Sequence, residues 1–128
     1  MLESDLVDYV RATGDAVVST VGPNGEPQAA YLAITATQAG ELVFDAKADS
    51  RKVANLRRDP RIAVVVGGAD GTTLQVQGVA DFPSGALLES CVDAYLSAFP
   101  QFAESLQGDA VVVIRVTVDW ARFGDYRG

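Results

Sequence analysis

Residues 44–61 read FDAKADSRKVANLRRDPR, and this stretch decides how the rest of the chain is read. It holds Lys47, Arg51, Lys52, Arg57, Arg58 and Arg61, six of the ten cationic residues, although the formal charge of the protein is −7. An apolar strand feeds into it. Asp49 or Ser50 stands where a helix cap belongs, and Asp59-Pro60 ends the helix because proline disfavours helical backbone in the residue before it. A helix start presents unpaired N–H groups and the positive end of the backbone dipole, which together favour an anion. Ser50 adds a hydroxyl, Arg51 a planar fork for two phosphate oxygens, and Lys52 a point charge. Two readings remain open from these residues alone: a phosphate-holding turn, or an amphipathic helix whose cations are simply solvated.

Upstream, residues 3–13 place Leu2, Leu6, Tyr9 and Val10 on one helical face, with acidic residues in the first turn and Gly14 as the stop. Asp15–Val21 has strand composition. Pro23-Asn24-Gly25-Glu26 is a tight-turn signal, so Pro27–Thr37 returns as a second strand. After a turn at Gln38-Ala39-Gly40, Glu41–Ala46 forms a third, and the three make a meander. The basic helix is predicted over Ser50–Arg58, with Val53, Ala54 and Leu56 inward.

Downstream, Arg61–Gly67 is a continuous β-branched run, the pattern of a strand covered on both faces. Thr72–Phe82 alternates Leu74, Val76 and Val79 against Gln75 and Gln77, with a bulge at Gly78. Gly85–Phe99 carries an apolar stripe of Leu88, Cys91, Val92, Tyr95 and Phe99. Gln101–Gly108 is a short helical turn or loop, and Ala110–Trp120 is the last strand. Six strands with mostly short antiparallel connections and three helices predict a mainly β fold, a six-stranded closed or split barrel with peripheral helices.

At 128 residues the chain is expected to form one domain. Its negative charge argues against nucleic acid as a partner, since strands are held by clustered cations. The first fourteen residues lack the basic start and apolar run of a signal peptide, and no apolar run is long enough to span a bilayer. The expectation is a cytoplasmic protein with no membrane partner. One cysteine excludes an intrachain disulfide, and the absence of histidine excludes histidine metal sites, Ser-His triads and histidine bases. Chemistry here must come from a cofactor, carboxylates, tyrosines or backbone.

Taken in order, PNGEPQ at 23–28, a strand ending Val43-Phe44, SRKVANLRRDPR at 50–61, an apolar strand and a strand ending QGVA at 77–80 resemble the pyridoxamine 5′-phosphate oxidase-related flavoproteins. Those proteins have an FMN-binding split barrel. The resemblance runs from Asp15 to Phe82 and continues through VDWARFGDY at 118–126. It implies a homodimer with FMN at the subunit interface and a phosphate held by Ser50, Arg51 and Lys52. It also implies that Asp45 and Ala46 lie beside the cofactor, that Ala30, Tyr31, Leu32 and Thr35 run along its ring, that Thr73 and Gln75 face it, and that Trp120 approaches from the other subunit. The vitamin oxidases proper carry an arginine and a lysine where this chain has Ala30 and Thr35. They also end in a segment rich in arginine and histidine, where this chain has only Arg122 and Arg127 after Trp120. The departures imply a substrate other than pyridoxamine phosphate.

The resemblance therefore implies an FMN-dependent oxidoreductase of unknown substrate, since a flavin carries its own redox chemistry. Its alternatives are a reductase using a deazaflavin coenzyme on the same fold, and a non-catalytic flavin-binding or stress-related module. Cys91 reads as a packing residue on an apolar stripe. Trp120 reads either as a core anchor or as a ring-stacking residue, and Tyr31 as a packed aromatic or a proton donor.

Overall fold

The computed structural model describes residues 2–128. Helix α1 (Glu3–Thr13) is followed by strands β1 (Asp15–Val21), β2 (Pro27–Ala33), β3 (Thr35–Ala36) and β4 (Leu42–Lys47). Helix α2 (Arg51–Arg58), strands β5 (Arg61–Gly67) and β6 (Thr72–Asp81), helix α3 (Gly85–Ala98), a 3₁₀ turn (Pro100–Phe102) and strand β7 (Val111–Asp125) complete the order. All strand pairs are antiparallel, in the spatial order β2-β1-β5-β6-β7-β4-β3.

The two ends of that sheet, β2 and β3, are consecutive in the chain, with only Ile34 between them. One continuous segment thus pairs with β1 at its start and with β4 at its finish, which curls the sheet into a split barrel. The expected second strand is therefore two, and the strand count is seven where the sequence suggested six. The expected meander is revised in the same way, because β4 finds its long partner in β7 and not in β2.

Inside the barrel, alternate residues of every strand meet. Ile34, Leu42, Phe44, Val64, Val66, Leu74, Val76 and Ile114 are almost fully excluded from solvent, and α1 adds Leu6, Val7 and Val10. Leu2, expected on that helical face, is 72% exposed because it precedes the helix as an extended N-cap residue. Gly14 ends α1 at φ 79°, a left-handed conformation that glycine adopts without a Cβ clash.

The bulge falls where β6 shifts register against β7, between Gln77 and Gly78. There the strands approach so closely that a Cβ on Gly78 would sit 2.3 Å from the Thr117 carbonyl oxygen. Gly78→Ala is expected to destabilise the fold by about 1–3 kcal/mol, the usual cost of overpacking, as read by urea unfolding. An unchanged midpoint would contradict the assigned register.

Outside the barrel the two halves of the sheet differ. Helix α3 covers β4 and β7, packing Cys91 and Tyr95 on Val43 and Val113, with Phe102 stacked on the Tyr95 ring and Phe99 tilted against both. On the outer face of β1, β5 and β6 no element of the described residues covers the sheet. Val17, Val65 and Val79 are 40%, 42% and 41% exposed, and Val17 and Val65 are direct cross-strand partners. The expectation that both faces of Arg61–Gly67 are covered thus fails within one chain: its residues alternate between buried and exposed. A β-branched run reports strand preference on both faces and does not reveal which molecule covers the second.

Candidate functional site: a donor-lined cleft at the start of helix α2

Helix α2 starts at the end of β4 and lies across β1. The hydrophobic residues Val53 and Leu56 anchor it, and Asn55 is buried between them at 2% exposure. Ala54, expected inward, is exposed, because the inner face is taken by positions 53, 55 and 56. Ser50 occupies the N-cap position in extended backbone, yet its hydroxyl makes no capping hydrogen bond. The first turn contains no acidic residue, so its positive end is left uncompensated.

Five of the six cations in the stretch 44–61 sort into two groups, and the sixth, Lys47, is exposed at the end of β4. Arg57 stacks over the Phe82 ring at 4.0 Å, Arg58 donates to the Val21 carbonyl at 2.9 Å, and Arg61 pairs with Asp59 at 2.7 Å. That pair and its neighbouring backbone bond hold the Asp59 carboxyl well below its ordinary range, at about 2. The ion pairs of the described residues use Arg61, Arg115 and Arg127, and leave Arg51 and Lys52 uncommitted.

Those two cations line a cleft of about 240 Å³ together with Ser50, Val18, Thr20, Gln28 and Ala30. Its walls come from the β1–β2 hairpin, in which Thr20 and Gln28 are cross-strand partners. The Ser50 Oγ is buried without a hydrogen-bond partner among the described residues. A buried hydroxyl left unpaired is costly. An anion at the helix start would satisfy it together with the free N–H groups of the first turn. No carboxylate lines the cleft.

The other residues expected at a cofactor lie elsewhere in this chain. Asp45 is half-buried beneath α3, where the Tyr95 hydroxyl donates to it at 3.1 Å. Burial pushes the Asp45 carboxyl above its ordinary range, with the Tyr95 bond and the Lys52 charge pulling the other way. Tyr95 is likewise pushed up, by burial first and by Asp45 second. Ala46 and Thr35 are buried, at 6% and 1% exposure, and Leu32 packs against the barrel core. Tyr31 points outward, 71% exposed, and its hydroxyl donates to Asp15. Thr73 and Gln75 lie on the outer face of β6, with Gln75 paired between Val65 and Arg122. Trp120, 43% exposed, lines a separate cavity with Leu2, Leu6 and Asp119. Of the twelve residues singled out, one chain therefore gathers Ser50, Arg51, Lys52 and Ala30 in one cleft. Thr20, Gln28 and Asn55 escaped the sequence reading.

Asp45 yields a pH test. Its raised folded value means the native state holds the proton more readily than the unfolded chain. Its contribution is therefore most favourable below the unfolded value of 3.8 and declines as pH rises through the folded one. Asp45→Asn, which retains an acceptor for Tyr95, is expected to raise the melting temperature near neutral pH and to lose that advantage in acid. Melting curves of both proteins between about pH 3.5 and about pH 8 check this; a gap that does not change with pH would contradict it.

Barrel and cleft together define a split-barrel protein with a donor-lined pocket at a helix start. A family model described as pyridoxamine 5′-phosphate oxidase matches residues 2–124, and the chain belongs to that family. No curated protein matches the chain. Among solved structures, the Mycobacterium tuberculosis protein Rv2991 is similar at 24% identity and TM-score 0.81, covering 99% of this chain and 86% of that one. A heme binding protein from Mycobacterium smegmatis matches at 20% identity and TM-score 0.84, over 100% of this chain and 56% of its own. The heme storage protein HutZ from Vibrio cholerae matches at 15% and 0.80, over 98% and 94%. At these identities the likeness is one of fold. The chain spans little more than half of the M. smegmatis protein. No helix of the described residues is long and apolar enough to cross a membrane.

Proposed function

We propose that this protein is an FMN-binding flavoprotein that acts as a homodimer, a cytoplasmic oxidoreductase whose substrate is not pyridoxamine phosphate. The observation that carries the reading is the buried, unpartnered Ser50 hydroxyl beside two uncommitted cations at a helix start. In this reading Ser50, Arg51, Lys52 and the first-turn N–H groups hold the flavin phosphate. Bound FMN would supply electron and hydride transfer, so the chain itself needs no histidine or paired carboxylates. Its own residues bind, orient and shield.

The cleft is small. At about 240 Å³ it falls below the range of about 300–1,000 Å³ that encloses a whole drug-sized ligand. It fits the phosphate end and leaves the ring to another surface. The open apolar face of β1, β5 and β6 adjoins the cleft through Thr20, which lines both it and the groove on that face. A second copy seated on this face would cover the valines and complete the ring site, with the outward residues Thr73, Gln75 and Trp120 available across the interface.

Haem, named for two of the structural neighbours, suits these residues less well. The chain has no histidine, and its single cysteine is buried on the inner side of α3, so neither histidine nor an accessible thiolate is there to hold the iron. A visible spectrum of protein purified without added cofactor tests the proposal. Flavin bands, or flavin bands after FMN uptake, are expected. A colourless protein that takes up no FMN, or one that prefers a deazaflavin coenzyme in competition, would overturn it. Turnover with a nicotinamide donor separates the oxidoreductase from a non-catalytic flavin module.

A further inference from the structure

Asn55 is the one polar residue that α2 buries, and its orientation is fixed by an arginine. Arg58 can only donate. Its Nη2 donates to Asn55 Oδ1 at 3.0 Å and to the Val21 carbonyl at 2.9 Å. Asn55 Oδ1 must therefore face Arg58, which turns Nδ2 toward the cleft walls. Nδ2 donates to Thr20 Oγ1 and to Gln28 Oε1, both at 2.9 Å. Thr20 and Gln28 are thus acceptors toward Asn55. The Thr20 hydroxyl keeps its proton for another partner, and Gln28, its oxygen occupied, directs its N–H pair away from Asn55.

From this chain of donors and acceptors we infer that Asn55, oriented by Arg58, is a positioning residue that sets the polarity of the cleft: Thr20 and Gln28 meet the ligand as donors, which selects a phosphate dianion. The inference rests on the flavin-phosphate reading above and deepens it. An unconstrained glutamine could present either end of its amide to a ligand. Here a cation outside the cleft decides which, through one buried amide. Ser50, Arg51 and Lys52 then find no competing acceptor on the opposite wall.

Asn55→Asp keeps the shape and the Arg58 contact but replaces the inward donor with an acceptor. Gln28 must then turn its N–H pair toward residue 55 and its oxygen toward the ligand. The preference for FMN over riboflavin, read by fluorescence titration, is expected to fall about tenfold or more while riboflavin affinity stays within about twofold. Gln28→Met, which adds no charge, is expected to lower the same preference about threefold or more in the native background and not to lower it in the Asn55→Asp background. A group that merely supports the fold would give equal effects in both.

If the native protein prefers FMN and Asn55→Asp keeps that preference, the polarity assignment is overturned and the flavin reading stands. If the native protein does not discriminate FMN from riboflavin, the flavin reading fails and inorganic phosphate becomes the probe. Thermal stabilisation of the native protein by phosphate, absent in Asn55→Asp, would then support the assignment; equal responses, or none, would overturn it. Should Asn55→Asp fail to fold, Gln28→Met decides alone, and an unchanged preference for FMN overturns the inference.

Discussion

Arg51→Ala combined with Lys52→Ala is expected to weaken FMN binding by about 30- to 700-fold, with little change in melting temperature. Each charge-assisted hydrogen bond to a phosphate is worth about 1.5–3 kcal/mol, and solvent exposure of Arg51 lowers the pair to about 2–4 kcal/mol in all. Neither cation joins an ion pair among the described residues, and the Lys52 charge is the smallest of the influences on Asp45, so their removal takes little from the fold. The neighbouring cations provide the control. Arg57 covers the Phe82 ring and Arg61 is held by Asp59, so alanine at either position is expected to leave FMN affinity within about threefold. Isothermal titration of FMN into each variant separates the groups. Equal losses for the two groups would mean that a diffuse basic surface, and not a site, attracts the phosphate.

Val65→Glu is expected to convert a dimer into a monomer and to remove most flavin affinity with it. Val65 sits in the centre of the uncovered sheet, in register with Val17 on one side and Gln75 on the other. Around a two-fold axis the same face meets itself, so one substitution places two carboxylates in the contact. Burying an unpaired carboxylate costs several kcal/mol, enough to dissociate an interface of ordinary size. Light scattering of the native protein should return twice the chain mass of 13.4 kDa, and the variant should return one chain mass. A native monomer would leave the valines as bare surface and would remove the proposed ring site. A dimeric variant would place the interface elsewhere.

Much of the fold was legible because its punctuation is local. Asn24-Gly25 fixes the first hairpin, and with it the register that sets Thr20 opposite Gln28. Gly14 and Pro60 bound helices α1 and α2, and the bulge at Gly78 was marked by a glycine in an alternating strand. Closure of the barrel was not legible. It depends on a break at Ile34 inside an apolar run, where no turn residue announces it. Nor could the run Arg61–Gly67 say which side of it faces the barrel, since valine occupies both, Val64 and Val66 inward and Val65 outward.

At the site, the cap and the two cations were readable from Ser50-Arg51-Lys52, because helix starts advertise themselves. The second wall was not, because Thr20 and Gln28 are ordinary strand residues whose role comes only from Asn55. One signal was available. An asparagine between Val53 and Leu56 on an inward stripe is a polar group that needs buried partners. Thr73, Gln75 and Trp120 point outward, so a role at a cofactor would need a second subunit, which no single chain displays.

We propose that the cleft at the start of α2 holds the flavin by its phosphate. Titration of the native protein with FMN and with riboflavin, which differ only in that phosphate, tests it most directly. FMN is expected to bind at least about 30-fold more tightly, the least that the Arg51 and Lys52 contacts should supply. Equal affinity for the two flavins would contradict it.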